Sequence, residues 1–428
     1  MKYISTLVLS LSITAVAWAA PPEKEPAEPD ESELVSRAIQ VVGGMLHRLP
    51  DYTCLETLER SERKAHGTKF RMIDHVRVEV AYVNGKELYA WPGSTKFGDM
   101  DLRDVLWGKG AFSTGNFGER LTNAYLTGLP LQLAGKDTIN GRAAWKFTQS
   151  IPAVISRFDI IVPPAKATAG YNVTAWHDAA SLELLRFELQ SDDLPKSFPL
   201  RRSFEAVDYE AVQVNGQPVR LPVLTELSMT ARNGIEDRTV STFSNCREYK
   251  SESKLTFEEP APQQENATPQ VATTADLPAG VEVHVKLDAA VDLKQTALGD
   301  PVTMTVSRDA VRNGRKVLSA GARVKGRWAF SECLDQPFVY CFAILETESY
   351  EDGASSGPFL GSLLWPTMGP QYWPSKSGLG EASRVTLPDA ILRAGKDAPI
   401  LYVPFTTKLP RGYQLIWRTL EVSRGTKP

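Results

Sequence analysis

His177 and Asp178 adjoin in the phrase TAWHDAASLE. An imidazole beside a carboxylate can move protons or lend a metal ligand. The setting is strand, turn, strand, so Asp178 has a simpler role as the residue capping the turn. His177 then takes a place on the sheet. Gly353-Ala354-Ser355-Ser356-Gly357 fits G-x-S-x-G. A nucleophile elbow needs a strand before it, a helix after it and a later histidine. The last histidine, His284, lies upstream, and EDGASSGP reads as a turn. Ser61-Glu62-Arg63-Lys64 and Ser251-Glu252-Ser253-Lys254 match S-x-x-K without a convincing helix or companion motifs. Gly108-Lys109-Gly110 lacks the order G-x-x-x-x-G-K-[ST] of a phosphate loop. Asp192-Asp193 offers too few local oxygens for Ca²⁺. His47, His66, His75 and His284 are scattered through different elements. The expectation is a protein with no catalytic residue, no cofactor and no metal: not an enzyme.

Charge excludes further classes. The formal net charge is -3 over 428 residues, with 48 basic and 51 acidic side chains. Nucleic-acid binding wants a basic face, and no polybasic run is present to hold an anionic membrane. Four cysteines, Cys54, Cys246, Cys333 and Cys341, suit an exported chain with disulfides. They allow three connectivities. Cys333 and Cys341 are near neighbours in a strand-turn-strand stretch, which leaves Cys54 with Cys246. A metal site is the rival, but there is no C-x-x-C pair and no histidine at ligand spacing.

The start, MKYISTLVLSLSITAVAWAA, has the three parts of a signal peptide, with a cut expected after Ala19. No later stretch is apolar for long enough to span a bilayer. The expected location is periplasmic or extracellular. Residues 20–30 are polar and Pro-rich, as in a disordered segment. Asp30 and Glu33 then have capping-box spacing, and Leu34, Ala38, Val41, Val42 and Met45 recur at helical period. A helix is expected over 31–48. From Asp51 the period becomes two, as in Val76, Val78, Val80 and Tyr82. Asn-Gly stands at 84–85, 140–141, 215–216, 233–234 and 313–314, mostly between alternating runs. That dipeptide tolerates the positive φ of a type I′ turn, so hairpins and an antiparallel meander are expected.

The expected fold is mostly β (α+β). A curved antiparallel half-barrel with a leading helix occupies 31–258. A linker rich in Pro, Gln, Thr and Ala follows at 259–276, then a small β-barrel or sandwich at 277–428. A Gly-rich interval from Gly98 to Gly128 is placed to cover the concave face. Tyr89, Trp91, Trp107, Phe112, Trp145 and Trp176 are the candidates to line an apolar cavity there. The pattern fits a filled core equally well.

Two resemblances follow from these phrases. The leading helix, the hairpin series, TAWHDAASLELLRFE and YEAVQVNGQPVRLPVLTEL resemble the periplasmic lipoprotein-carrier and lipoprotein-sorting superfamily over residues 30–258. That resemblance implies a half-barrel and an apolar ligand, either a lipid or a lipidated partner protein. The phrases LPAGVEVHVKLDAAVDL, ALGDPVTMTVSRDAV and GARVKGRW resemble the β-barrel domain of conjugation and type IV secretion scaffold proteins over 277–328. That one implies a β-barrel fold and an envelope role; docking of the second domain to another envelope component is the accompanying expectation. A purely structural envelope component and an unrecognised hydrolase are the alternatives.

Overall fold

The computed structural model describes residues 30–94, 97, 102, 106, 110–114, 118–192, 194–249, 273–274, 276–335, 339–365, 391 and 398–421. The expected signal peptide, nearly all of the linker, Trp107 and residues 251–254 lie outside the described residues. Helix α1 spans Glu31–His47. Asp30 caps it by accepting from the Ser32 amide, and Leu34, Ala38 and Val42, spaced by four, bury one face.

The strands that follow are β1 (Tyr52–Arg63), β2 (Arg71–Val83) and β3 (Lys86–Ala90). Helix α2 (Glu119–Leu126) leads into β4 (Gln132–Ile139) and β5 (Arg142–Ile151). A single turn, α3 (Ala153–Ser156), precedes β6 (Phe158–Val162), β7 (Ala165–Asp178) and β8 (Leu184–Asp192). The last three are β9 (Leu200–Val214), β10 (Gln217–Ala231) and β11 (Glu236–Glu248). Together they make a curved antiparallel half-barrel, ordered β3-β2-β1-β11-β10-β9-β8-β7-β5-β4, with β6 beside β7. It is a meander except at one seam, where the first strand pairs with the last. The Cys54–Cys246 disulfide sits at that seam and joins positions 192 apart.

The Asn-Gly turns behave as expected at four of five places. Asn84, Asn140, Asn215 and Asn313 all take positive φ, each followed by a positive-φ glycine. Asn233 does not. The β10–β11 connection is longer, and the Ala231 amide reaches across it to the Ile235 carbonyl at 2.8 Å.

The second unit holds β12 (Thr273–Thr274), β13 (Glu282–Leu287), β14 (Val291–Asp292), β15 (Pro301–Val306), β16 (Ala310–Arg312) and β17 (Arg315–Leu318). It continues with β18 (Arg323–Leu334), β19 (Tyr340–Asp352), β20 (Ser355–Pro358) and β21 (Gly361–Trp365). It ends with β22 (Ile400–Pro404), β23 (Lys408–Leu409) and β24 (Gln414–Thr419). Its main sheet runs β12-β20-β19-β18-β15-β13-β24-β21. Strands β20 and β21 are nearly continuous in sequence yet pair with β19 and β24 respectively. The chain thereby switches partners within 355–365 and closes the sheet into a barrel. Val283, Val285, Met304, Val324, Trp328, Leu345 and Trp417 fill it. Cys333 and Cys341 face each other on β18 and β19 and form the second disulfide.

The two units meet at the free half of β2, beyond the reach of β3. There Leu298 pairs with Val76 in a parallel bridge. The Leu298 amide donates to the His75 carbonyl, and the Arg77 amide donates to the Leu298 carbonyl, both at 2.8 Å. Asp300 accepts from the Arg77 guanidinium with both oxygens at 2.7 Å. Gly299 takes φ +98°, and a Cβ there would lie 2.3 Å from the Arg77 carbonyl oxygen. Only glycine allows this approach. The contact covers an otherwise unpaired strand edge.

Candidate functional site

Strand register places the inward residues of the half-barrel in rows that cross the sheet. One row runs Val76, Leu58, Ser241, Thr225, Val207, Phe187, Ala175, Phe147 and Leu133. The next runs Asp74, Arg60, Thr239, Leu227, Glu205, Leu189, Val173 and Gln149. The first row is apolar at both sides and polar at Ser241 and Thr225; the second is polar from Asp74 to Thr239 and again at Glu205 and Gln149, with Leu227, Leu189 and Val173 between.

The concave face therefore carries two apolar clusters with a polar seam between them. Under the β4–β9 side, Phe147, Val173, Phe187, Leu189 and Val207 pack against Ala38 and Val42 of α1 and Leu121, Ala124 and Tyr125 of α2. Under the other side, Tyr52, Leu58, Val78, Val80, Tyr89 and Phe243 pack with Leu102 and Leu106 of the Gly-rich interval. Thr239 Oγ1 ties the seam to that interval by donating to the Ala111 carbonyl at 2.6 Å. Among the described residues, the cover of the sheet is thus α1, α2 and side chains of the Gly-rich interval, with no second sheet.

The seam holds Glu56 and Glu205, each 3% exposed, with Thr225, Thr239 and Ser241. Burial pushes the Glu56 carboxyl up to about 8; a Ser241 hydrogen bond opposes this, and Glu87 and Glu205 add to it. Glu56 is therefore mostly protonated at neutral pH. Arg120 of α2 reaches in from above. Its Nε lies 3.5 Å from Glu205 Oε2, and its guanidinium stacks 4.5 Å from the Phe158 ring centroid. Arg60, at the far end, is held by Asp74, with Nε to Oδ1 at 2.7 Å. Burial and Glu87 raise the Tyr89 hydroxyl well above the usual phenol range, and its OH donates to Glu87 at 2.8 Å.

The six aromatic residues expected at a cavity separate into groups. Tyr89 and Phe112 join the cluster under the β1–β3 side. Trp91 packs partly against that cluster, yet also lies in the joint with the second unit, 4.7 Å below the Arg327 guanidinium. Trp145 borders the cluster under the β4–β9 side and donates to the Ala179 carbonyl at 3.3 Å. Trp176 does not belong with them. Strand alternation puts His177 inward and Trp176 outward, where it packs with Ala144 and Leu185 and donates to Asp137 at 3.0 Å. Trp107 lies outside the described residues.

The sequence motifs fall into structural roles. His177 is buried, not on the sheet surface as expected. Its Nδ1 lies 2.9 Å from the Leu182 carbonyl, which only accepts, so Nδ1 carries the proton and Nε2 accepts from the Tyr125 hydroxyl at 2.7 Å. Burial holds this imidazole down to about 4, hence neutral. Asp178 caps the turn as expected, accepting from the Ala180 and Ser181 amides. Residues 353–357 form the turn and strand of the β19–β20 hairpin. Among the described residues, no group of His, Cys, Asp and Glu is placed to hold a metal ion. No helix among them is long and apolar enough to cross a membrane.

The seam residues Glu56, Glu205, Arg60 and Arg120 were not singled out from sequence. A signal existed. Glu56 falls in phase with Tyr52, Cys54 and Leu58, and Glu205 in phase with Val207 and Tyr209. A carboxylate at an inward beat of an alternating strand is out of place in an ordinary core.

No protein-family model and no curated protein matches the chain. Solved structures do. A DUF1329 family protein from Desulfovibrio piger is 12% identical, with a TM-score of 0.28 over 53% of this chain and 97% of its own. A LolA superfamily protein from Nitrosomonas europaea is 12% identical, with a TM-score of 0.25 over 53% and 97%. A putative outer membrane lipoprotein-sorting protein domain from Vibrio parahaemolyticus is 13% identical, with a TM-score of 0.26 over 53% and 95%. Values of this size leave the ligand of this chain to be argued from its own residues.

Proposed function

We propose that this chain is a non-enzymatic, exported envelope protein whose half-barrel binds an amphiphile, a lipid or a lipidated protein, on its concave face. One observation carries the reading: two apolar clusters flank a buried polar seam beneath α1, α2 and side chains of the Gly-rich interval. A cover held to the sheet by side chains can part without breaking a strand ladder. A ligand with an apolar chain and a polar end fits clusters beside hydrogen-bonding groups. The signal-peptide pattern and two disulfides agree with work outside the cytoplasm. Native mass spectrometry of the mildly extracted chain is expected to show a bound lipid mass that organic solvent removes. A chain that carries none, and takes up none after incubation with lipid micelles, would end the proposal.

A second reading concerns the barrel. Leu360, Trp365 and Leu420 expose apolar surface on strands and turns that touch one another, since the Leu420 amide donates to the Leu360 carbonyl. A docking role toward another envelope protein would use that face. Photocrosslinking from position 365 in envelope fractions tests it; a labelled monomer alone counts against it.

A further inference from the structure

The seam leaves both kinds of hydrogen-bonding atom unused, and it does so at one place. Glu205 Oε1, an acceptor, is buried and has no hydrogen-bond partner among the described residues. Arg120 Nε, a donor, is buried and has none either, for it approaches Glu205 Oε2 no closer than 3.5 Å. The guanidinium is fixed from its other sides, by the Phe158 ring and by Nη2 donating to the Thr114 carbonyl at 3.4 Å. Ser203 Oγ, two residues before Glu205 on the same face of β9, is also buried and unpartnered, and a hydroxyl can act either way. Three strands along the row, Arg60 Nη1 is a second spare donor.

The fixed charges of the seam cancel. Asp74 matches Arg60 and Glu205 matches Arg120, while Glu56 keeps its proton at neutral pH. A ligand group of either charge would enter with no counterpart, and an unmatched buried charge is costly. An apolar group would leave Oε1 and Nε as they are, each desolvated and unbonded. A neutral group that gives one hydrogen bond and takes one answers both atoms at once.

Resting on the concave-face reading above, we infer that the bound amphiphile carries an uncharged donor–acceptor group, an amide or a hydroxyl, which donates to Glu205 Oε1 and accepts from Arg120 Nε. Ser203 offers a third bond, and the apolar chain lies in the cluster beneath α1 and α2. Arg120 and Glu205 are specificity residues here. They select a ligand by its spare N–H or O–H beside an oxygen.

The test uses the full disulfide-bonded chain, stripped of lipid and loaded with the neutral apolar fluorophore N-phenyl-1-naphthylamine. Two matched pairs of competitors are titrated: dodecanamide against N,N-dimethyldodecanamide, and dodecanol against dodecyl methyl ether. Each capped form keeps the acceptor and lacks the donor. Capping also adds apolar surface, so a purely apolar site ranks the capped forms tighter. Dodecylamine and dodecanoate are the charged controls. The free amide or the free alcohol is expected to displace the fluorophore at concentrations at least about tenfold below its capped form, and below both ions. The pair with the wider gap tells an amide ligand from a hydroxyl one. Replacing Arg120→Met and Glu205→Leu together removes both atoms without leaving a lone charge, and is expected to abolish the gap, read against the fluorophore's affinity in the same variant. Should that variant fail to fold, Glu205→Gln weakens the acceptor and is expected to narrow the gap. Capped forms that compete as well as free ones, an ion that outcompetes both free forms, or a gap unchanged in the folded variant overturns the inference and leaves apolar binding standing. A chain that does not bind the fluorophore or any competitor removes both.

Discussion

The barrel of the second unit and the half-barrel of the first are built from the same kind of strand, but they bury different things. Among the described residues, the barrel's buried polar side chains are Thr296, Thr347 and Thr419. The half-barrel buries Glu56, Arg60, Glu79, His177 and Glu205, with Gln149 and several hydroxyls. Taking an ionisable group out of water costs several kcal/mol unless partners compensate it. The barrel gives away none of its stability in this way; its interior is valine, leucine, methionine and tryptophan in contact. The half-barrel accepts that cost along one seam, beneath α1 and α2. On the proposed reading, those polar groups belong to the unit that recognises a ligand.

The largest test of this contrast is covalent. The Cys54–Cys246 bond closes a loop of 192 positions and the Cys333–Cys341 bond one of 8. Loop-closure entropy assigns the first about 5 kcal/mol and the second about 2.5 kcal/mol. Replacing Cys54 and Cys246 together by alanine is expected to lower the denaturant midpoint of the half-barrel far more than the matching change at Cys333 and Cys341 lowers the barrel's. Equal shifts would mean that the two units do not differ in how much they need the staple.

Next comes pH. Folding raises the Glu56 carboxyl to about 8 from 4.5. The folded state keeps its proton where the unfolded state has lost it, so stability falls as pH rises between those values, at roughly 1.4 kcal/mol per unit. The total is a few kcal/mol. Glu56→Gln is expected to flatten this fall, seen as half-barrel unfolding at pH 5 and pH 8. In the barrel, burial raises only Glu346 among the carboxyls with a resolved shift, and by less, so a smaller fall in the same direction is expected there.

These contrasts were only partly visible in the residues. Alternation and Asn-Gly pairs exposed the hairpins, because turn chemistry is local and period two is a property of the strand alone. The pairing of β1 with β11 was indicated only indirectly, by the cysteines, since it joins strands far apart in sequence. Trp176 shows the limit of an aromatic inventory: its neighbour His177 points inward, so it points out. Glu205 was overlooked for the opposite reason. Its phase with Val207 and Tyr209 marks an inward beat, but FEAVDYEAV carries acidic residues on both phases, and the register of β8 and β10 is what fixes its face.

The joint between the units gives a smaller effect. Gly299→Ala puts a Cβ against the Arg77 carbonyl and Trp91. It is expected to cost about 2 kcal/mol of coupling. Calorimetry is then expected to show the two units' transitions further apart than in the native chain; an unaltered trace would show that the units unfold independently already. Smallest of all is Trp176→Phe. Its ring packs on the convex side, so fluorophore binding is expected to stay within about twofold of the native chain, a shift below 0.5 kcal/mol. A larger loss would move the site to the other face of the sheet.

Placing the first strand beside the last has a cost in time. The chain emerges from the ribosome with its N-terminus leading. At about 5–20 residues per second, the 192 positions between the two cysteines represent on the order of 10–40 s of synthesis. Through that interval β1 shows one bare edge and an unmated thiol. No other cysteine lies between positions 54 and 246, so the first thiol of the chain that can meet Cys54 is its native partner.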